Sequence, residues 1–378
     1  MLSLRRLLIA LIWVSLVASA CSTEASLPEI TKEVATGIPA TATATLSPSP
    51  PAHSSTNAET ATSTPSPTPI PMTTLLFTGV IVPARCVQAA LDVSGNYDYP
   101  YEEVSDIIQG ADLAIGTFNA TMSDIPPHTG CIPTYVLVGS PQNADALSRA
   151  GFDVMSVATN HIKDCGLTNC GDQAFFDTLY HLSRVKISTV GAGKNHAEAM
   201  QPLVMTVNGV RFGIVSQGQI EQGGVYATAD KPGIARLTEE NIREAVQAAR
   251  AVSDVVIFMP HWGPEDVATP NWIQRNLARS IVEAGADLVV GNHTHVVQGY
   301  QQINGVWVFY GLGNFVFDQW QREHQQGVIL LVRYQGTRLI DFEWIPTHVD
   351  KDGRVHLADA QEAEEILNRI QQASSMLR

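Results

Sequence analysis

The sequence predicts an α/β fold, and two patterns along the chain lead to this prediction. In the first part, apolar strand-like runs alternate with helical patterns, which is typical of a largely parallel sheet. Further along, three pairs of strand-like runs flank short glycine-containing turns, which indicates antiparallel hairpins. We therefore expect a mixed sheet, or two stacked sheets, covered by helices on both outer faces.

The parallel frame begins with a short apolar run that contains Gly79. The first three predicted strands cover residues 75–82, 111–116 and 154–158. Apolar residues at 3.6-residue spacing predict helices over residues 104–108, 141–150, 173–184, 239–252 and 273–284. Strands and helices that alternate in this way are expected to form βα units.

The hairpins lie mostly in the second half of the folded region. Asn208-Gly209 and Asn304-Gly305 are strong two-residue hairpin signals, and Gln335-Gly336 marks a third turn. The flanking strand-like runs cover residues 203–207 and 210–215, 300–303 and 306–310, and 327–334 and 339–346. The last segment, residues 360–377, has the spacing of an amphipathic surface helix.

The N-terminus predicts a lipoprotein signal peptide over residues 1–20. Arg5 and Arg6 precede an apolar run, residues 7–17, that is too short to span a bilayer as a helix. Small residues then lie directly before Cys21, as in a bacterial lipobox, which predicts lipid attachment at Cys21. This interpretation places the chain at the cell membrane, lipid-anchored on the extracytoplasmic face. The alternative is plain secretion with cleavage nearby.

Residues 21–72 are predicted to form a disordered linker. They are rich in Thr, Ser, Ala and Pro, so they cannot bury enough apolar surface to offset the entropy of ordering. A flexible coil of about fifty residues spans on the order of 40 Å. The remainder, residues 73–378, is long enough for one large folded domain, and no second linker interrupts it.

Charge and cysteine content narrow the classes of function. A net charge of −14 gives no basic patch, which argues against nucleic-acid binding. Four cysteines remain besides Cys21, and an even count in an exported chain favours disulfides. Cys165 and Cys170 lie in one loop and can pair locally, and Cys86 would then pair with Cys131. Free buried thiols are the alternative.

Three predicted strands carry histidines at their C-terminal ends. The segments are GFDVMSVATNH, SDVVIFMPHWG and GADLVVGNHTH, at residues 151–161, 253–263 and 285–295. In an open α/β sheet the C-terminal strand ends meet at one crevice, so we expect these side chains to converge. Each histidine taken singly is more often a packed or surface residue, but three strand-end sets together favour a functional cluster.

These residue types suit metal chemistry. Neutral imidazole binds Zn, Mn or Fe, and an Asn oxygen can be a further ligand. A histidine outside the metal sphere can give a proton to a leaving group. The sequence therefore predicts a divalent metal site (Mn, Fe or Zn), and its candidate ligands are Asn160, His261, His293 and His295.

Four segments in consistent order carry a family resemblance: GFDVMSVATNHIKDCG, HWGPED, GADLVVGNHTHVVQG and FYGLGNFVFD. Together they resemble the CapA family of poly-γ-glutamate capsule synthesis proteins, whose domain is similar to the calcineurin-like metallophosphatases. The resemblance covers about residues 74–344 and implies a four-layer α/β/β/α sandwich with a two-metal site at the strand ends. It places ligands at Asn160, His261, His293 and His295, a catalytic histidine at His161, cleft residues at Asp164, Glu265 and Asn314, and a family arginine at Arg85.

The chain departs from the family pattern at two strand ends. The family's first strand ends in Gly-Asp, and Val80 stands at the Asp position. Its second strand ends in Asn-Leu-Glu, and the matching residues are Thr117, Phe118 and Asn119. Two neighbouring metal ions need anionic ligands to offset their repulsion. The loss of two negative charges therefore predicts one ion, or none held tightly.

By resemblance, the expected role is the synthesis, export or attachment of an anionic surface polymer such as poly-γ-glutamate, alongside capsule-synthesis membrane proteins. One hypothesis is metal-assisted hydrolysis or transfer on the polymer or on a small-molecule substrate, with His161, Asp164 and Arg85 as catalytic candidates. The other is a degenerate domain that binds polymer or partners without turnover. Trp262 and Trp320 are candidates for lining the cleft, although core packing would explain them equally well.

Overall fold

The computed structural model of the protein describes residues 70–125, 127–165, 170–219 and 224–377. The predicted signal peptide, the lipidation site Cys21 and nearly all of the predicted linker lie outside these residues. Within them, no helix combines the length and the apolar character that a membrane span requires.

Strands and helices alternate through the first part of the described chain, and hairpins follow. In chain order, the strands are β1 (Met72–Ile81), β2 (Leu113–Phe118), β3 (Thr121–Met122), β4 (Val138–Gly139), β5 (Val154–Ser156), β6 (Ser188–Val190), β7 (Ala192–Gly193), β8 (Leu203–Val207), β9 (Val210–Gly218), β10 (Gly233–Ile234), β11 (Val255–His261), β12 (Leu288–Val290), β13 (Tyr300–Ile303), β14 (Val306–Phe309), β15 (Asn314–Val316), β16 (Gln326–Gln335), β17 (Arg338–Val349) and β18 (Val355–Leu357). The helices are α1 (Cys86–Ser94), α2 (Ser105–Gln109), α3 (Gln142–Ala150), α4 (Gln173–Arg184), α5 (His196–Ala199), α6 (Glu239–Val252), α7 (Trp272–Ala284) and α8 (Ala360–Ser375), and a 3₁₀ turn covers Arg322–His324.

Two large sheets form the frame of the fold. The first runs in the order β18-β17-β16-β1-β2-β5-β6, and β15 also pairs with β1. Its β1, β2, β5 and β6 are parallel, whereas β16, β17 and β18 add antiparallel neighbours at one side. The second runs in the order β13-β14-β12-β11-β9-β8, with a parallel centre and an antiparallel hairpin at each edge.

The two sheets pack face to face, and helices cover their outer faces. Leu75 and Phe77 of β1 share one apolar cluster with Ile257 of β11 and Leu288 of β12. Helices α1 to α4 bury their apolar stripes on the outer face of the first sheet, and α6 and α7 do so on the second. The result is four layers in the order α/β/β/α, which confirms the predicted fold class and selects two stacked sheets over one mixed sheet.

The hairpin predictions are confirmed as well. β8 and β9 pair around Asn208-Gly209, where both residues have positive φ, 49° and 82°, as a tight hairpin turn requires. β13 pairs with β14, and β16 pairs with β17, at the other two predicted turns. The C-terminal helix α8 is amphipathic as predicted, and its Ile366 and Ile370 join the core between the sheets.

Both predicted disulfides are present in the structure. One joins Cys86, the first residue of α1, to Cys131. The other joins Cys165 to Cys170. The first disulfide ties α1 to the segment that precedes β4, and both of its cysteines line a cleft at the strand ends.

Candidate functional site

The strand ends of both sheets meet at the candidate site. β5 of the first sheet leads into Asn160 and His161, and β11 of the second sheet ends in His261. β12 leads into the loop that carries His293 and His295. Parallel strands in each sheet bring these ends to one edge, as the sequence predicted.

Three of the predicted ligands form one tight group, here called the imidazole group: Asn160, His261 and His293. Nε2 of His261 lies 3.0 Å from Oδ1 of Asn160 and 3.1 Å from Nδ1 of His293. Asn160 belongs to the first sheet and the two histidines to the second. The group therefore bridges the two sheets at their C-terminal edge.

The loop after β12 is strained where it delivers its histidines. His293 has φ 110° and His295 has φ 60°, both in the region that favours glycine. The turn sends the two rings to different partners, since His293 contacts His261 and Nδ1 of His295 lies 2.9 Å from Oδ1 of Asn314. Strain of this kind clusters at functional sites, where surrounding packing maintains it.

Burial keeps these imidazoles neutral. Desolvation holds the pKa of His261 well below its usual value, and the nearby His293, His295 and His161 lower it further. Burial also lowers the pKa of His293 to about 3, and it lowers that of His295 despite the hydrogen bond with Asn314. A metal ion binds the neutral form of imidazole, so the electrostatics favour ligand-competent rings.

The donor set of the imidazole group fits one divalent cation. His261 Nε2 can carry only one proton, and one proton cannot form two separate linear hydrogen bonds, one to Asn160 and one to His293. Lone pairs of these side chains therefore converge at this point. When two atoms bind the same metal ion through bonds of about 2.0–2.2 Å, they lie about 3 Å from each other. The two distances from His261 Nε2 are close to this value. Nδ1 of His261 is buried without a hydrogen-bond partner among the described residues. Buried polar atoms without a partner are uncommon in proteins, so this nitrogen distinguishes His261 from an ordinary packed histidine.

His295 and the carboxylates lie outside this group. In the described part of the chain, no set of three or more His, Cys, Asp or Glu side chains is arranged to hold a metal ion. The rings of His293 and His295 are 6.1 Å apart between centroids. The four-ligand set expected from the sequence is therefore not assembled around one point, and three of its members are.

His161 forms a separate pair with Asp164. Its Nδ1 lies 2.8 Å from Oδ2 of the carboxylate, which also accepts the backbone N–H of Leu137 at 2.8 Å. The backbone N–H of His161 donates to Oδ1 of Asn119 at 3.0 Å. Ring and backbone are thus both fixed, and Nε2 is the ring nitrogen left for proton exchange.

His161 opens into a cleft of about 350 Å³ that we call the strand-end cleft. His295 and Glu265 line the same cleft, with His295 Nε2 lying 3.9 Å from Oε1 of Glu265. Exposed Tyr135 and Trp320 stand at its mouth. Glu265 and Trp320 were both candidates for lining a cleft, and both of them line this one.

Arg85 lines the cleft but its guanidinium is already engaged. It forms a two-point ion pair with Asp318 and donates to the carbonyl of Thr134 at 2.9 Å. Burial raises the pKa of Asp318, and the contact with Arg85 opposes that rise. Arg85 thus connects the parts of the cleft wall that carry Thr134 and Asp318, and the charge of Asp318 largely offsets that of Arg85.

Three further predicted positions do not line the cleft. Asp164 and Asn314 lie behind it and hold His161 and His295. Trp262 is a correction, since its side chain is fully buried in the core of α6 and α7 and its indole N–H donates to the carbonyl of Tyr310 at 2.9 Å. Consecutive residues at a strand end point to opposite faces, so His261 faces the site and Trp262 faces away.

The two departures from the family pattern are filled by buried neutral residues. Val80 is fully buried in the core. Asn119 is also fully buried, and its side-chain oxygen accepts a hydrogen bond from the backbone N–H of His161. The Nδ2 atom of Asn119 has no partner among the described residues. No charge replaces the expected carboxylates at these two positions.

Sequence reasoning missed a second imidazole–carboxylate pair in the strand-end cleft. Nε2 of His324 lies 2.8 Å from Oδ1 of Asp266, and both residues line the cleft. Asp266 ends the HWGPED segment, so its neighbourhood was marked in the sequence. His324 follows no strand and matches no motif, and only tertiary structure brings it to the site.

Fold and site together define an α/β/β/α sandwich that gathers imidazoles and an amide at its strand ends, beside a cleft. The family model described as "Bacterial capsule synthesis protein PGA_cap" matches residues 74–319, and the chain belongs to this family. The resemblance found in the sequence is thereby confirmed.

Curated relatives agree with this assignment. The chain is 27% identical to the capsule biosynthesis protein CapA of Bacillus anthracis, with 80% of this chain and 74% of that protein covered. It is 29% identical to the PGA biosynthesis protein CapA of Bacillus subtilis, with 73% of each covered. A probable polyglutamine synthesis accessory protein of Mycobacterium tuberculosis is 26% identical, with 79% of this chain and 82% of that protein covered.

Solved structures with related folds are more distant. They include a novel phosphatase of Mycoplasma pneumoniae, at 12% identity and a TM-score of 0.47, covering 80% of this chain and all (100%) of that one. They also include a 5'-nucleotidase precursor of Thermus thermophilus, at 15% identity and a TM-score of 0.42, covering 81% and 60%. Similarity at this level carries no functional inference.

Proposed function

We propose that this chain acts in the synthesis, export or attachment of an anionic surface polymer of the poly-γ-glutamate type, by metal-assisted hydrolysis or transfer. The observation that carries the proposal is the His161–Asp164 pair, which opens into the strand-end cleft next to the imidazole group. Family membership and relatives named for capsule and PGA biosynthesis support this substrate class.

The residues divide the chemistry between them. His161 gives a proton from Nε2 to the leaving group, while Asp164 orients the ring through Nδ1. Asn119 fixes the backbone of His161, and the N–H of Leu137 fixes the carboxylate. Asn160, His261 and His293 would hold one divalent ion, which when bound supplies Lewis acidity and an activated water.

Acidic side chains in the strand-end cleft support a role for a bound cation. The side chains of Glu265, Asp266 and Asp318 line the cleft, and Arg85 is already paired with Asp318. A polymer of carboxylates would be repelled by this lining. A bound divalent ion would offset the repulsion at the point of reaction.

The proposal includes a lipid anchor at Cys21 and an extracytoplasmic position. Two sequence features support it, namely the lipobox-like residues before Cys21 and the Thr/Ser/Pro-rich residues 21–72. Such a tether would let the folded part reach a growing polymer beside capsule-synthesis membrane proteins. Replacement of Cys21 by Ala should release the full chain from the membrane fraction, and retention there would contradict the anchor.

Turnover tests the catalytic part of the proposal. The full chain, loaded in turn with Mn, Fe or Zn, is incubated with a γ-linked glutamate oligomer and with p-nitrophenyl phosphate, and products are followed by mass spectrometry and absorbance. We expect His161→Gln to lower turnover by about 10²–10⁴-fold. His128→Gln is the matched control, because His128 pairs with Asp92 outside the strand-end cleft. Turnover that survives His161→Gln would contradict the proposal.

A binding function without turnover is the second candidate, and the buried Val80 and Asn119 favour it. The Val80→Asp, Asn119→Glu double variant discriminates between the two. If the oligomer binds to the parent chain and reaction occurs only in the double variant, the natural protein is a binding scaffold that has lost catalysis. If the parent chain turns the oligomer over, the scaffold hypothesis fails.

A further inference from the structure

The strand-end cleft contains two imidazole–carboxylate pairs, and the proposed function uses only one of them. His161 is held by Asp164 at 2.8 Å, and His324 is held by Asp266 at 2.8 Å. Both rings line the same cleft and both are largely buried, with 9% of each side chain exposed. The two carboxylates differ, since 18% of the Asp164 side chain and 63% of the Asp266 side chain are exposed.

His324 is fixed from several directions. Its carbonyl accepts the side-chain N–H of Asn314 at 2.8 Å, and the oxygen of the same amide lies 2.9 Å from Nδ1 of His295. Asp266 approaches from the loop after β11, where φ 64° places it in the left-handed region and its N–H donates to the carbonyl of Thr294 at 3.0 Å. Asn314 of β15 thus fixes the backbone of His324, and Asp266 fixes its ring.

We infer that His324 is a second catalytic residue of the strand-end cleft, the general base that complements His161 as general acid. The inference rests on the proposed function. Asp266 holds Nε2 of His324, so Nδ1 is the nitrogen of this ring that exchanges a proton. In His161 the exchanging nitrogen is Nε2, because Asp164 holds Nδ1. In this division of roles, His324 takes the proton that the attacking water loses, and His161 gives the proton that the leaving group gains.

The step balances for an amide of a γ-linked chain. His324 takes a proton from water, the water oxygen bonds to the carbonyl carbon, and the C–N bond breaks. His161 gives its proton to the leaving nitrogen, so the products are a carboxylic acid and an amine. His324 then loses a proton to solvent and His161 takes one up. For a phosphoester, the phosphorus and the leaving oxygen replace the carbon and the nitrogen.

Chemical rescue separates catalysis by His324 from a structural role. In the full chain we expect His324→Ala to lower kcat for the γ-linked glutamate oligomer by about 10²–10⁴-fold with KM little changed. Added imidazole should restore a measurable part of kcat, because the cleft is open to solvent. Asp266→Asn should give a smaller loss, and His128→Ala should leave kcat unchanged with or without imidazole.

The outcomes distinguish this inference from the function on which it rests. Turnover by the parent chain, with kcat unchanged in His324→Ala, would overturn the role of His324 and leave the proposed function intact. A loss that imidazole does not restore, in a variant that still binds the oligomer with parent affinity, would assign His324 to structure instead. Absence of turnover in the parent chain would overturn both.

Discussion

At the scale of single residues, each cleft-facing histidine has one ring nitrogen fixed by a neighbour. Asp164 holds His161, and Asp266 holds His324. A fixed partner selects the tautomer and the orientation of the ring, and it leaves the other nitrogen for chemistry. His261 differs, because its Nε2 faces Asn160 and its Nδ1 is buried without a partner in the described part of the chain.

The carboxylate behind His161 can be tested alone. Asp164→Asn keeps the size of the side chain but removes the charge that stabilises the imidazolium, so we predict a fall in kcat of about 10²–10⁴-fold. Steady-state kinetics on the γ-linked oligomer provide the measurement. Asp92→Asn, which alters the carboxylate beside His128, is the control and should not change kcat. Equal rates for Asp164→Asn and the parent chain would refute the orienting role.

His356, which does not line the strand-end cleft, should make stability depend on pH. Burial tends to lower the pKa of His356, but hydrogen bonds to Asp350 and Glu103 outweigh it, so the folded-state pKa is raised. A raised pKa means that His356 stabilises the fold fully below its unfolded-state pKa of about 6.5. That stabilisation is lost as pH rises through the folded-state pKa.

Unfolding by denaturant at two pH values measures this contribution. We expect His356→Gln to reduce the free energy of unfolding more at about pH 5.5 than at about pH 8. High ionic strength should shrink the difference, since the groups are partly exposed. The same loss at both pH values would show that the charge on His356 does not contribute.

At the scale of elements, close packing behind the loop after β12 determines where His293 and His295 lie. A Cβ atom added at Gly291 would overlap both the indole nitrogen of Trp262 and the carbonyl oxygen of Tyr310. These two groups share a hydrogen bond in the core. The glycine therefore lets the end of β12 approach the residues that directly follow β11 and β14, and this sets the direction of the histidine loop.

We predict that Gly291→Ala lowers the free energy of unfolding by about 1–3 kcal/mol, because the added methyl group overpacks this core. Denaturant unfolding of the full chain is the measurement. The same substitution at Gly110 is the control, because φ there is −74° and the nearest atom to an added Cβ is 3.1 Å away. A loss at Gly291 no greater than that at Gly110 would contradict the packing argument.

Elements with a clear period were predictable from the sequence, and elements that depend on tertiary contacts were not. Helices α4 and α6 match the predicted ranges to the residue, because buried residues recur at helical spacing along each of them. Helix α1 was missed, and its start gives no capping signal, since Arg85 precedes it with φ 51° and no side-chain cap. Local pattern alone could not place its boundary.

The same distinction holds for the site. Asn160, His261 and His293 follow parallel strands, so topology brings them together and the sequence could predict it. His324 reaches the cleft from a 3₁₀ turn, and its partner Asp266 from a loop. Neither position has a periodic signal. Where these loops fold depends on contacts such as that with Asn314, which no short sequence pattern encodes.

At the scale of the whole molecule, a disulfide and an ion pair hold the outer wall of the strand-end cleft. Cys86–Cys131 and Arg85–Asp318 both tie the start of α1 to distant parts of the chain. The backbone N–H of Cys86 also donates to Asp318 at 3.0 Å. This wall therefore stabilises the fold and shapes the cleft at the same time.

Removal of the disulfide should affect stability. For the Cys86→Ser, Cys131→Ser double variant we predict a loss of about 2–4 kcal/mol in the free energy of unfolding, because the crosslink restricts the unfolded chain. Denaturant unfolding without reductant is the measurement. The Cys165→Ser, Cys170→Ser variant is the control and should lose less, since its residues are 5 apart in sequence against 45. Equal losses would contradict this account.

We propose that Asn160, His261 and His293, gathered from two sheets, hold one divalent ion beside the strand-end cleft. The most direct test is the metal content of the full chain, by elemental mass spectrometry after incubation with Mn, Fe or Zn and desalting. We predict close to one equivalent in the parent chain and in His128→Gln, lost in His261→Ala and in His293→Ala. A parent chain that retains no metal would contradict the claim and favour the binding scaffold.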